Sequence, residues 1–471
     1  MGYEVRVSLW DALNERSVCE APLSYWVKRM EPFFSPLTGI IRYYYVSELQ
    51  PQDVSLFFSA AQLHRISSFL GMSFDPAVGG VGETREAAFL SAYGEALERY
   101  ASSVVPVKKL LFSSYEELVK HGERAIDPKS FALFASWQYQ QQGFVYEPFE
   151  RESKIRWVKG RFLSTGEEVW VPAACVYIPY MYEYGKETRI YHTTSTGLAF
   201  HFVPEQAHRS GVFEVVERDA FMVMWWTRLA VEEVALDSVE NERIRHLLDK
   251  RFGRWKEKVR VFLLPTDTHI PVFFGVMVED EAKALRNDVP SLAVGAAAAL
   301  SAEEALYKTL IEVIQTWMYA AYLKKNNEHS QQKKVFRGNW DDEVRDFSDS
   351  VLCYSYPQFR HLLDFLLCHD RGRRDFEEIR RGVGFSSFGE ALQALEEKGF
   401  SPVVVDVTPE DVRSGGGYVS RVVIPGMVGL NGAHRYRFWG SERLLTLPKK
   451  LGLRNDVLST DELNPYPHPF P

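Results

Sequence analysis

The chain has 471 residues, 46% hydrophobic and 25% charged, with a formal net charge of −8. It can bury a large core, and its negative charge argues against a nucleic-acid binder that works by neutralising phosphates. Cys19, Cys175, Cys353 and Cys368 lack metal-binding spacing and read as reduced, mostly buried thiols, while an early-charged N-terminus and the lack of a long apolar run exclude a signal peptide or a membrane span, so a cytoplasmic location without a membrane partner is expected.

Residues 1–69 read as a small N-terminal region, with strands expected at Tyr3–Leu9 and Ile40–Val46 and breaks at Pro32, Pro36 and the polar segment 50–53. Gly79, Gly80 and Gly82 follow; a plain turn and a backbone approach to a phosphate are both open there. The stretch GETREAAFLSAYGEALERYASS, residues 82–103, then reads as a helix opened by Gly82 and Thr84. Beyond it a helix is expected near Ser113–His121, and strands at Ile155–Val158 and Glu168–Val176.

A second long helix begins at Pro204 and runs into the apolar FMVMWW, whose Trp225–Trp226 pair reads as core. Val259–Leu264 and Val272–Val278 read as buried strands, and Leu292–Ala299 leads into a third helix from Ser301. Residues 324–334 are polar enough for an exposed or mobile loop, and residues 369–381 suggest a solvated helix face with short-range ion pairs. Strands at Phe400–Val407 and Val419–Pro425 flank a glycine turn at Gly415–Gly417. The chain closes on NPYPHPFP, whose alternating prolines favour an extended polyproline form that costs little entropy to place.

The three long helices share a pattern. Ala88, Glu95 and Glu98 recur as Ala207, Glu214 and Glu217, and again as Ala305, Glu312 and Gln315. In the first two an arginine follows, Arg99 and Arg218, giving E-x-x-E-R twice. Glutamates three apart project from one side of a helix. The positions between them are mostly apolar or small, so these carboxylates must be paired, hydrogen-bonded or bound to a cation. Four carboxylates on one site select hard cations, Mg²⁺ first, and with arginines nearby they suit a nucleoside triphosphate. Buried Glu–Arg pairs knitting the helices together are the structural alternative. His192, His201 and His434 near these motifs read as structural.

GVGETREAAFLSAYGEALERYAS resembles the first ATP-site motif of the YcaO family, in which S-x-x-x-E-x-x-E-R supplies magnesium and nucleotide contacts. STGLAFHFVPEQAHRSGVFEVVERDAF and VGAAAALSAEEALYKTLIEVIQ are similar to its second and third signatures, and PGMVGLNGAHRYRFWGSERL to its closing segment. The resemblance covers roughly residues 70–471. The terminal P-x-P-x-P is similar to that of one branch, the azoline-forming cyclodehydratases of thiazole/oxazole-modified microcin (bacteriocin) biosynthesis.

The resemblance implies an α+β, YcaO-type ATP-binding fold with mixed sheets and three repeated acidic helices around a nucleotide and magnesium site. Residues 70–471 would form the cyclodehydratase domain, with a proline-rich tail at 465–471. It implies ATP-dependent cyclodehydration of Cys, Ser or Thr in a ribosomally made precursor peptide, with ATP and Mg²⁺ as cofactors. Glu95, Glu98, Glu214 and Glu217 would be the magnesium ligands, and Ser91, Arg99 and Arg218 the nucleotide contacts. Pro467, Pro469 and the carboxylate of Pro471 would shape the active site. Thioamide formation on a peptide backbone, or a catalytically silent scaffold in a modification complex, are the competing readings. The expected partners are the precursor peptide, a separate leader-binding protein resembling ubiquitin-activating enzymes, and further copies of the chain. The chain departs from the pattern in places: Val81 stands where the family often has Lys, the loop AFHF where it usually has A-G-N-T, and Lys308 where Arg is common, while Gln206 stands where it has Glu, which weakens one metal contact or passes it to Glu205.

Overall fold

The computed structural model describes residues 23–48, 54–64, 77–131, 133–286, 289–368 and 371–471. The strand expected at Tyr3–Leu9, the polar segment 50–53 and Cys19 lie outside the described residues. An α+β architecture results, with three sheets.

The first sheet has the order β1 (Ile41–Glu48), β2 (Phe57–Leu63), β3 (Ala77–Gly82), all antiparallel. Of the two N-terminal strands, β2 hydrogen-bonds onto the strand that leads into the first acidic helix, and β1 onto β2. The second sheet contains β4 (Leu111–Ser113), β5 (Ile155–Phe162), β6 (Glu168–Pro172), β7 (Leu198–His201), β13 (Val403–Asp406) and β14 (Tyr418–Val423). Its order is β4-β5-β13-β14-β7, with β6 also on β5. The third sheet is built from β8 (Glu233–Ala235), β9 (Val259–Leu263), β10 (Val272–Val278), β11 (Leu292–Ala298) and β12 (Arg373–Asp375). It runs β11-β10-β9-β8-β12, antiparallel except for β12 on β8.

The three acidic helices are α1 (Arg85–Ser103), α2 (Pro204–Trp226) and α3 (Ala302–His329). Each follows a strand at the end of its own sheet: β3, β7 and β11. Thr84 caps α1 by accepting from the Ala87 N–H at 3.2 Å, Ser301 caps α3 by accepting from the Glu304 N–H at 3.1 Å, and Pro204 opens α2 at a position where no N–H is needed.

β10 and β11 are apolar along their whole length because both faces are covered. Phe274 and Val276 pack with α2 in one core, with the Phe221 and Phe274 rings 5.3 Å apart, while Phe273 and Met277 pack with α3 in another. The glycines before α1 belong to β3 itself and form no phosphate-binding turn. A Cβ on Gly80 would lie 2.5 Å from the Ala92 nitrogen, so glycine is what lets α1 lie directly on the strand; Gly295 of β11 has the same role, 2.5 Å from the Val313 nitrogen of α3.

Two local expectations change. The polar stretch 324–334 is helical through His329, because Lys324 is buried and its ammonium donates to the Ala284 and Val289 carbonyls at 2.7 and 2.8 Å. Its remainder is tied down by Asn327, whose side chain bonds the Lys334 carbonyl at 3.0 Å and accepts from the Lys334 N–H at 2.8 Å. Within 371–381, Arg373–Asp375 is a strand and Phe376–Gly382 a helix whose Phe376 and Ile379 are buried. Only its outer face, with Arg380 on Glu377 at 2.6 Å, is the solvated ion-pair surface. Cys175 and Cys353 are buried free thiols, and Cys368 is an exposed one. No helix among the described residues is long and apolar enough to cross a membrane.

Candidate active site

The carboxylates of all three helices approach one another across the sheet ends. Glu98 accepts a 2.8 Å bond from the Phe200 N–H of β7, and Glu214 accepts one of 3.0 Å from the Gly197 N–H just ahead of it. Glu217 is in hydrogen-bonding reach of the Ala298 N–H of β11, and Glu312 of the Ala296 N–H. Gln315 donates to the Gly79 carbonyl of β3 at 3.1 Å. Strand ends supply the fixed backbone donors, and helix faces supply the acids.

Three guanidinium groups stand among five carboxylates. Arg99 pairs with Glu95 at 3.1 Å. Arg218 lies 2.8 Å from Glu217 and 3.6 Å from Glu214. Arg421 of β14 is buried, donates to the Thr194 carbonyl at 2.7 Å and acts electrostatically on Glu214. The predicted residues Glu95, Glu98, Arg99, Glu214, Glu217 and Arg218 are therefore brought together. Glu312 and Arg421 join them. Glu312 was legible as part of the third repeat; for Arg421 the only signal was a charge inside the apolar run VSRVVIP. Ser91 is exposed one turn before Glu95 on the same helix face.

The acidic charge is in excess, and burial makes that costly. Burial, with Glu214 and Glu95 adding to it, holds the Glu98 carboxyl at about 8 against the Phe200 N–H and Arg99. Burial and Glu214 hold Glu312 at about 7, with Arg218 opposing. Glu217 is likewise pushed well up by burial, with Arg218 opposing and Glu312 and Glu214 reinforcing. This is an all-oxygen donor set short of positive charge, the chemistry that a hard divalent cation satisfies. Among the described residues no three acidic, histidine or cysteine side chains are drawn into a ligand sphere, and Arg218 pairs with two of the acids.

The departures from the motif pattern also have places. Val81 is buried in the core beside α3. Gln206 is buried in the first turn of α2, while Glu205 is exposed there. Lys308 pairs with the buried Glu304 at 2.6 Å, and Arg209 of α2 lies 3.9 Å from the same carboxylate.

The C-terminal tail runs into this site. Trp225 and Trp226 are fully buried and form its seat: Asn464 donates to both of their carbonyls, and the Trp225 indole donates to the Tyr466 carbonyl at 3.2 Å. The Tyr354 hydroxyl donates to the Pro467 carbonyl at 2.5 Å. Pro467 and Pro469 are buried, Pro471 is half-buried, and the Phe470 ring lies 4.1 Å from the Arg218 guanidinium. His468 is fastened through both ring nitrogens, to the Asn431 carbonyl at 2.8 Å and the Phe470 N–H at 3.3 Å; burial lowers its pKa to about 4. A neutral imidazole with both nitrogens engaged is a clasp rather than a base. His201 is also structural, with Nδ1 accepting from the Val203 N–H at 2.9 Å, and His434 is buried.

Residues 79–428 match the family described as YcaO cyclodehydratase, ATP- and Mg²⁺-binding. The chain belongs to the YcaO family. ATP and Mg²⁺ are that family's cofactors, and the excess of buried carboxylate oxygen in this YcaO protein fits a magnesium nucleotide. Several solved structures resemble it, three of which follow. A heterocyclase in complex with substrate and cofactor has a TM-score of 0.77 at 21% identity, over 97% of this chain and 58% of that one. The chain thus spans little more than half of that heterocyclase. YcaO from Methanopyrus kandleri, bound with AMPPCP and Mg²⁺, has a TM-score of 0.57 at 19% identity, covering 86% and 90% of the two chains. A chain of the E. coli microcin synthetase McbBCD complex has a TM-score of 0.58 at 15% identity, covering 92% and 99%. These similarities establish a shared fold.

Proposed function

We propose that this YcaO protein is an ATP-dependent peptide cyclodehydratase. The side chain of a Cys, Ser or Thr in a precursor peptide gives up its proton and adds to the preceding amide carbonyl; the resulting oxyanion takes the γ-phosphoryl of ATP and releases ADP, and loss of phosphate with the amide N–H proton leaves a thiazoline or oxazoline. An amide oxygen is a poor leaving group, and phosphorylation remedies that. The observation that carries this reading is the proline-rich C-terminus packed in the core, with Phe470 against Arg218 of the acidic cluster. A built-in peptide terminus at the carboxylates is what the azoline-forming branch has and thioamide formation does not call for.

In this reading Glu95, Glu98, Glu214 and Glu217 hold magnesium, which when bound offsets charge on the ATP phosphates. Ser91, Arg99 and Arg218 contact the nucleotide, with the guanidinium groups placed to take charge developing on the transferred phosphoryl. Pro467 and Pro469 shape the wall of the site, and the Pro471 carboxylate assists proton transfer. Residues 1–69 lead into the catalytic body, and 465–471 complete it. Work on a leader-bearing precursor calls for a separate delivery protein resembling ubiquitin-activating enzymes, in the cytoplasm, and self-association of this chain; likeness to a subunit of the microcin synthetase complex, also solved with pro-MccB17 bound, supports such partners.

The test is intact-mass analysis of a Cys/Ser/Thr-rich precursor incubated with this protein, its delivery partner and Mg-ATP. Loss of one water per modified residue, abolished by Glu217→Gln, is the expected result. A gain equal to the exchange of oxygen for sulfur, dependent on added sulfide, would move the protein to thioamide formation. No mass change and no ATP turnover, with the partner shown to bind, would make it a scaffold.

A further inference from the structure

We propose that Phe470 is a positioning residue for Arg218: its ring face fixes the plane of the guanidinium that the second E-x-x-E-R presents to the carboxylate cluster. The guanidinium carbon lies 4.1 Å from the ring centroid. Arg218 touches Glu217 at 2.8 Å and Glu214 at 3.6 Å, yet its Nε and Nη1 are buried and make no hydrogen bond. Those ion contacts alone leave the orientation of a planar, five-donor group underdetermined. The negative face of a desolvated aromatic ring supplies the missing constraint, because a cation stacked on it is held flat.

The ring can do this because it is itself immobile. Phe470 is 1% exposed and packs on Phe221 with centroids 4.8 Å apart. Its N–H donates to His468 Nδ1, and His468 Nε2 is bonded to the Asn431 carbonyl. The tail upstream is bonded through the Tyr466 and Pro467 carbonyls to Trp225 and Tyr354. None of these anchors is a member of the carboxylate cluster. The tail is thus a rigid strut whose Phe470 side chain ends on Arg218, which pairs with two acids of α2. Its consequence for turnover rests on the nucleotide-site reading above; the contact itself does not.

The experiment is the full-length chain carrying mono-, di- and trifluorinated phenylalanine at position 470, assembled by ligating a synthetic C-terminal segment, with Phe470→Leu as the end point. Fluorination drains the ring face while keeping its shape. The expected result is a stepwise rise in KM for ATP, about tenfold across the series, with the fluorinated chains still folded at the assay temperature. A KM indifferent to fluorination would overturn the proposal, since a merely packed ring would behave that way. Independently, the ¹⁵N–¹H signal of the Arg218 side chain, assigned by its loss in Arg218→Lys, should be shifted upfield by the ring and move back in Phe470→Leu. If that signal behaves as expected while the wild type neither binds nor hydrolyses Mg-ATP, the nucleotide reading fails and the Phe470–Arg218 contact stands. A signal unmoved by Phe470→Leu sinks the contact itself.

Discussion

The Oε1 atom of Glu98 accepts a 2.8 Å hydrogen bond from the backbone N–H of Phe200, which fastens the first acidic helix to the strand that launches the second. The same relationship recurs around the molecule. Glu217, at the matching position of α2, reaches the Ala298 N–H on the strand that launches α3. Gln315, at the matching position of α3, closes the ring on Gly79 of β3. Glu98 accepts from an N–H, Glu217 stands in reach of one, and Gln315 donates to a carbonyl. An ionised glutamate cannot donate, which is why the third helix carries an amide where the others carry an acid.

Gln315→Glu should therefore destabilise the protein, because it faces the Gly79 carbonyl with an acceptor and leaves that carbonyl unpaired. A loss of about 1–3 kcal/mol in urea unfolding is expected. An unchanged unfolding midpoint would show that this contact does not help to close the ring.

Stability without metal should fall as pH rises through the neutral range. Burial, with help from neighbouring carboxylates, raises Glu98 to about 8 and Glu312 to about 7, whereas an unfolded glutamate titrates near about 4.3. Between those limits the folded state holds protons that the unfolded chain has released, so the contribution is full below the unfolded value and lost as pH climbs through the folded ones. A divalent cation competes with those protons. Melting temperature in EDTA should thus drop from pH 6 to pH 8, and the gain on adding Mg²⁺ with a non-hydrolysable ATP analogue should be larger at pH 8. Equal gains at both pH values would count against the cluster as the metal site.

Arg443 bridges the closing helix Glu442–Lys450 to α2. It bonds Asp219, the residue after Arg218, at 2.7 Å and Asp267 at 2.7 Å. Asp219 is 2% exposed, so Arg443→Ala strands a buried charge and should cost about 3–5 kcal/mol in denaturant unfolding. Asp267→Asn, at the half-buried end of the network, should cost less.

Deleting Pro467–Pro471 uncovers Phe221 and the tryptophan seat and removes the buried Phe470. A loss of about 3–5 kcal/mol is expected, together with binding of a hydrophobic dye. Deleting Pro471 alone removes little buried surface and should change stability by under about 0.5 kcal/mol, yet should abolish azoline formation if its predecessor's carboxylate cannot substitute. Calorimetry beside the intact-mass assay separates the two effects.

Much of the site was legible because it is written in helical period. Glu95 and Glu98, Glu214 and Glu217, and their alanine and arginine neighbours are local patterns, and one face of a helix is fixed by spacing alone. The polar stretch at 324–334 misled because its composition is that of a loop, while the burial of Lys324 against the Ala284 and Val289 carbonyls keeps it helical. The glycines at 79–82 misled for a related reason. A glycine needed for close helix–strand contact looks the same in sequence as one needed for a turn, and only the fold, in which a Cβ on Gly80 would meet the Ala92 nitrogen of α1 at 2.5 Å, tells them apart.

By itself, the sequence determined the three acidic helices, the buried strands at Val259–Leu263 and Val272–Val278, and a stiff C-terminus that costs little entropy to place. Tertiary structure alone decided that Arg421 belongs with the predicted acids, that the tail ends on Arg218, and which carboxylates hold their protons to neutral pH. The reason is physical: periodicity acts between residues a few positions apart, whereas desolvation and Coulomb interaction act through space and depend on which distant strand ends the fold brings together.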